Sequence, residues 1–220
     1  LWENEAYYHR AQAVLFDILA AYQPADRVEA ELLKTETQNV PVFGYGIKSF
    51  GLSMIETALR VSLGKVTSLE IQRLLDALKA MVLNTVEVLP GVEKTLTDLQ
   101  ANYRLMVVTK GDLMDQQRKL AQSGLAHFFA AFEVVSDKDE DTYTQILQRF
   151  QIEAAQFVMI GNSLKSDVLP VVRLGGHGIL IPHHTTWAHE LVSPETADQH
   201  TYHVLEKFSQ IPQLIKKMRG

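Results

Sequence analysis

Phe157-Val158-Met159-Ile160-Gly161-Asn162-Ser163-Leu164-Lys165-Ser166-Asp167 is the stretch on which the reading of the chain turns. Its four leading apolar residues have the length and bulk of a buried parallel strand. Gly161 breaks the run, and a polar loop follows with Asn162, Ser163 and Asp167. Apolar residues then return at Val168, Val171, Val172 and Leu174, which is helical spacing. A strand that passes through a Gly/Asn/Ser/Asp loop into a helix sets polar groups at the carboxyl edge of a sheet, where open α/β sheets place their ligands. An Asn and an Asp held there suit a hard cation that takes oxygen ligands. The same residue types also turn chains and cap helices.

Working outward, the second half of the chain repeats this alternation. Leu105-Met106-Val107-Val108 reads as a short buried strand ending in Thr109-Lys110-Gly111-Asp112, with Asp112 placed to cap the next helix, which stops at Ser123-Gly124. Phe132-Glu133-Val134-Val135 is a second strand, followed by Ser136-Asp137-Lys138 and a helix through Tyr143, Ile146, Leu147 and Phe150. After the central stretch and its helix, Gly178-Ile179-Leu180-Ile181 and Tyr202-His203-Val204-Leu205 read as further strands. A helix near 209–218 closes the chain. Strands alternating with helices predict an α/β fold, a parallel sheet with helices on both faces.

Residues 4–84 read as helices alone. Tyr7, Ala11, Val14, Leu15, Ile18 and Tyr22 share one face of a helix that Pro24 is expected to close. A second helix, about 26–39, is expected to end before Pro41, and a third runs through Ile47, Phe50, Met54, Ala58 and Val61. Thr67-Ser68-Leu69-Glu70 has capping-box spacing and opens a fourth. The character changes at Val88-Leu89-Pro90-Gly91. The expected division is therefore a helical bundle over residues 1–86 and an α/β core over 87–220.

Composition narrows the classes of function. Among 220 residues, 46% are hydrophobic and 21% charged, the balance of an ordinary globular protein. A net charge of −5 with no basic block argues against nucleic acid as a partner. With no cysteine there is neither a disulfide framework nor thiolate chemistry. No apolar run reaches the roughly 18 residues of a membrane span, and no signal peptide is visible, so a cytoplasmic protein without membrane contact is expected. A monomer or homodimer is expected.

In a parallel sheet the carboxyl ends of all strands lie on one edge. Thr109 with Lys110, Lys138, and Asn162 to Asp167 should therefore converge there. A hydroxyl and ammonium groups offer hydrogen bonds and charge to an anion such as phosphate. A carboxylate offers a ligand to a divalent metal that bridges to phosphate oxygens. Taken singly, Thr109 could cap a turn, Lys110 could point to solvent, and Lys138 could be one cation among Asp137, Asp139, Glu140 and Asp141. None of the three loops supplies a nucleophile with an activating base. Elsewhere, His183, His184 and His189 could hold zinc or form a loop at the mouth of the site, packed down by Trp187. Phe43, Tyr45 and Lys48 could form a specificity surface or simply anchor the helical region.

The order Leu105-Met106-Val107-Val108-Thr109, then Lys138, then Gly161-Asn162-Ser163-Leu164-Lys165-Ser166-Asp167 resembles the second, third and fourth motifs of the haloacid dehalogenase superfamily of hydrolases. Pro90-Gly91-Val92 and Ser123-Gly124-Leu125 add to the likeness. The resemblance implies a Rossmann-like core beneath an inserted helical cap. It implies that Thr109 hydrogen-bonds a phosphoryl oxygen and that Lys138 stabilises negative charge on nucleophile and phosphoryl group; Lys110, beside Thr109 at the same strand end, is the further residue expected to bind substrate. Asp167, with Asn162, would hold Mg²⁺, and the substrate would be a small phosphorylated metabolite. The family's first motif, of Asp-x-Asp-x-Thr type, is absent from this sequence. Its first Asp is the family's nucleophile, which forms an aspartyl-phosphate. The expectation is that about ten or more residues carrying it precede Leu1, on a strand central to the sheet, since a sheet lacking that strand would leave two inner edges unpaired. Asn162 stands where many relatives carry Asp, and Asp139 where many have proline. The alternatives are a dehalogenase that works without metal and a non-catalytic binding protein on the same fold.

Overall fold

The fold is seen in a computed structural model that describes residues 1–3, 5–182 and 200–218. It is α/β, with parallel strand pairing in one part and helices alone in another, and it divides into two compact units. The first comprises Leu1–Glu87 and Lys110–Ala126, the second Val88–Thr109 and His127–Gly220. No helix among the described residues is long and apolar enough to cross a membrane.

The first unit is built of α1 (Glu5–Leu19), α2 (Ala25–Phe43), α3 (Ile47–Val61) and α4 (Ser68–Leu83), together with α6 (Leu113–Gln122). Apolar side chains at helical spacing meet in one core in which Leu15, Leu19, Leu32, Met54 and Leu74 are fully buried. Burying such a side chain contributes about 1.5–3 kcal/mol. The capping box forms as its spacing predicts. Thr67 Oγ1 accepts from the Glu70 N–H, and the Glu70 carboxylate accepts from the Thr67 N–H at 2.7 Å.

Three local expectations are corrected in this unit. Pro24 does not close α1, which ends at Leu19; it stands as N-cap of α2, where a fixed φ and a missing N–H cost nothing. The second helix does not stop before Pro41 but runs through it to Phe43. Pro41 and Thr37 are both exposed, so the Thr37 carbonyl that loses its helical donor can bond to water. Asp112 stands at the N-cap position of α6, yet its side chain caps nothing there. Its carboxylate accepts from the Lys48 N–H at 3.0 Å, at the start of α3, and pairs with Lys48 Nζ at 3.2 Å. Gly46 (φ 130°) permits this approach, since a Cβ on it would lie 2.6 Å from Asp112 Oδ2.

The second unit holds α5 (Val92–Gln100), β1 (Met106–Lys110, whose last residue groups with the first unit) and β2 (Ala131–Val135). Then come α7 (Glu140–Phe150), β3 (Val158–Gly161), α8 (Leu169–Arg173), β4 (His177–Leu180), β5 (His203–Val204) and α9 (Ile211–Met218). β3 and β4 pair in parallel with Val158 opposite His177 and Gly161 opposite Leu180, and β5 adds to β4 in parallel. One continuous sheet is not formed among the described residues. The strands make two sheets, β1-β2 and β3-β4-β5. β1 and β3 nevertheless feed one core, in which Val108 and Met159 pack with Tyr143, Ile146, Phe157 and Val171.

Candidate active site

The loop after β3 carries the buried polar cluster of the second unit. Leu164–Val168 forms a single π-helical turn, opened by Ser163, whose Oγ accepts from the Ser166 N–H at 2.9 Å. The wide turn brings Asp167 back over the end of the strand. Its Oδ2 accepts from the Ser163 N–H at 3.0 Å. Gly161 makes room for it, because a Cβ there would sit 2.1 Å from Asp167 Oδ2. The other carboxylate oxygen, Oδ1, accepts from Lys138 Nζ at 2.6 Å. Both side chains are largely buried, at 11% and 6% exposure, so the pair is held in a medium that screens it far less than water does.

Lys138 is aimed by the start of α7. Asp139 N-caps that helix by accepting from the Thr142 N–H at 2.8 Å. Hydrogen bonds from the Thr142 backbone and side chain hold the Asp139 carboxyl below the usual carboxylate range. Asp139 therefore does by capping what a proline would do by restricting the backbone: it fixes where the chain turns from Lys138 into the helix.

Of the residues singled out in the sequence, the structure joins Lys138 and Asp167 directly. Asn162 is exposed on the same loop. Thr109 lies half-buried at the carboxyl end of β1, the strand paired with β2, whose own end leads to Lys138. In the first unit, the Lys110 ammonium lies 4.0 Å over the ring of Tyr45, a cation–π contact, while Lys48 is engaged by Asp112 and Phe43 is largely exposed. His183, His184, His189 and Trp187 lie outside the described residues. No group of three or more His, Asp or Glu side chains is arranged to hold a metal among the described residues. The donors present on the loop, the Asp167 carboxylate and the Asn162 amide oxygen, are hard oxygens of the kind Mg²⁺ takes, and Mg²⁺ commonly uses only one or two carboxylates of the protein. The residues fit that ion in kind.

Sequence reasoning did not pick out Gly161 and Ser163 as supports of Asp167. Nor did it find Tyr143, whose hydroxyl donates to the Ser166 carbonyl at 3.1 Å.

Residues 34–171, more than half of the chain, match the sequence pattern of the haloacid dehalogenase-like hydrolases. The chain belongs to this family. A haloacid dehalogenase-like hydrolase of known structure from Xanthomonas campestris is 37% identical, superposes with a TM-score of 0.86, and is matched over 99% of this chain and 87% of its own. The fold is shared with a 2-haloacid dehalogenase from Pseudomonas syringae, at 19% identity and a TM-score of 0.62 over 99% of this chain and 94% of that one. A glyceraldehyde 3-phosphate phosphatase from Pyrococcus abyssi is 28% identical over 92 residues, a match spanning 39% of this chain and 39% of that relative. This haloacid dehalogenase-like chain is thus similar in part of its sequence to a phosphatase and shares its fold with a dehalogenase.

Proposed function

We propose that the protein is a Mg²⁺-dependent phosphatase that hydrolyses a small phosphorylated metabolite through an aspartyl-phosphate. The observation that carries the reading is the buried Lys138–Asp167 pair at the end of β3, with the second Asp167 oxygen on the Ser163 N–H. A preformed ammonium beside a fixed carboxylate suits a site that must balance the charge of a transferring phosphoryl group. The likeness to a phosphatase supports the same reading.

In this mechanism the Thr109 hydroxyl donates to a phosphoryl oxygen and Lys110 adds cationic charge to substrate binding. Lys138 offsets the negative charge that develops on nucleophile and phosphoryl oxygens. Asp167 and Asn162 would hold Mg²⁺, which when bound supplies further charge neutralisation to those oxygens. The nucleophile would be an aspartate N-terminal to Leu1, on a strand seated between β1 and β3. Among the described residues the strands form two sheets, and Val108 of β1 and Met159 of β3 pack in one core, which supports that placement. In the same reading residues 1–86 act as a helical cap and 87–220 as the core, in a cytoplasmic monomer or homodimer.

The test is release of p-nitrophenol from p-nitrophenyl phosphate by the full gene product, with Mg²⁺ and with EDTA. Metal-dependent turnover is expected, falling about 10³-fold in Asp167→Asn, the scale of removing a preorganised charged group. Turnover unaffected by EDTA and by Asp167→Asn would refute the reading.

A further inference from the structure

Asp167 is aimed by a turn that ordinary helical geometry does not supply. Ser166, just before it, would in an α-helix pass its carbonyl to the N–H of residue 170. That residue is Pro170, which has no N–H and whose ring crowds the carbonyl four residues back. The turn before it is π-helical: Val168 N–H reaches Ser163 C=O at 3.3 Å and Leu169 N–H reaches Leu164 C=O, while Asp167 N–H keeps an α-type bond to the same Ser163 carbonyl at 2.9 Å. π-Turns are rare and concentrate at functional sites. The Ser166 carbonyl receives the hydroxyl of Tyr143 at 3.1 Å, a buried bond between residues 23 apart.

Tyr143 is itself fixed. Its side chain is fully buried, its ring lies 6.3 Å from that of Phe157, and its N–H donates to the Asp139 carbonyl at 3.0 Å. It sits in the first turn of α7, five residues after Lys138, and its hydroxyl reaches the residue immediately before Asp167. One hydrogen bond thus ties the loop that carries the ammonium to the turn that carries the carboxylate.

We propose that Tyr143 is the positioning residue of the Lys138–Asp167 pair: its hydroxyl, bonded to the Ser166 carbonyl, holds the π-turn in the register that sets Asp167 against Lys138. The geometric part of this stands by itself; its catalytic meaning rests on the phosphatase reading above. Tyr143→Phe removes the hydroxyl and keeps the ring, so the core packing survives. In crystals of the metal-free full gene product, the variant is expected to shift the π-turn and to move Asp167 beyond hydrogen-bond reach of Lys138. A pair retained at the parent distance would overturn the proposal whether or not the enzyme is a phosphatase. In solution, Mg²⁺ affinity measured by calorimetry should fall at least tenfold, the usual effect of removing an outer partner of a metal ligand. The Mg²⁺ activation constant should rise by the same factor, with the rate at saturating Mg²⁺ little changed. A lower melting temperature with unchanged Mg²⁺ affinity would reduce Tyr143 to a packing role and overturn the proposal. A parent protein indifferent to Mg²⁺ would instead sink the phosphatase reading, leaving the crystallographic result to decide the positioning.

Discussion

Two buried carboxylates, Asp167 in the second unit and Glu36 in the first, are treated in opposite ways, although the first unit also buries Asp115, paired with Arg118 and Lys119. In the second unit Asp167 has one oxygen on Lys138 and the other on a backbone N–H. In the first unit Glu36, 4% exposed on α2, has an Oε1 with no hydrogen-bond partner among the described residues. The same holds for Thr57 Oγ1 on α3. They border a polar seam where Asn39 Nδ2 donates to Ser53 Oγ at 3.1 Å and to Glu56 at 2.9 Å. Burial is comparable, and what differs is the partner. A satisfied buried charge is held in one geometry and suits chemistry. A buried acid with an oxygen left unsatisfied favours its neutral form, and burial alone pushes Glu36 from 4.5 up to about 7.

The comparison breaks most sharply at Lys138. Lys138→Ala leaves Asp167 buried without its cation. Removing one partner of a buried pair destabilises by about 3–5 kcal/mol, more than the pair is worth against an apolar replacement. In metal-free protein at pH 7, urea denaturation should show a loss of that size, and turnover should fall by at least about 10²-fold. A stability change under about 1 kcal/mol, the range of exposed pairs, would mean that water already reaches the pair.

Glu36 sharpens the other side. Below pH 4.5 its carboxyl is neutral in folded and unfolded chains alike. As pH rises from there to about 7 the unfolded chain gives up the proton first, so stability falls across this window and is level above it. The loss should be on the order of 3 kcal/mol. Glu36→Gln keeps the shape without the charge. It should flatten that part of the profile and exceed the parent in stability at pH 8, as read from urea midpoints at pH 4.5, 6 and 8. Parallel profiles for parent and variant would show that Glu36 finds a proton donor in solution.

How far these features could be read from sequence depends on the range of the interaction. Local patterns were legible: the apolar run before Gly161, the capping box at Thr67, and the polar ends of successive strands that mark Thr109, Lys138 and Asp167. Interactions between distant residues were not. Asp112 looks like a helix cap because its neighbours make a helix, but its carboxylate is claimed by Lys48, 64 residues away. Tyr143 looks like one apolar position of α7 until its hydroxyl meets Ser166. Pro170 was a visible signal that an α-helix could begin there but not run unbroken through Ser166. Which donor would answer it was a matter of packing. Pro41 shows the converse, a helix breaker whose effect vanishes where the freed carbonyl faces water.

The capping box supplies the smallest effect and the limiting case of the comparison. Thr67 and Glu70 satisfy each other as fully as Lys138 and Asp167 do, but Thr67 is exposed and Glu70 only half-buried. Water can take the place of either partner, so satisfaction there is worth little. Thr67→Ala should cost about 1 kcal/mol, as lost caps do, and Thr67→Ser almost nothing, since the accepting hydroxyl remains. The loss should leave p-nitrophenyl phosphate turnover unchanged. A cost near that of Lys138→Ala would show that the start of α4 is more deeply coupled to its unit than an exposed cap allows. A cost near zero would show that the first turn of α4 frays without consequence. Between these outcomes the two hydrogen-bonded sites separate what burial contributes from what pairing contributes.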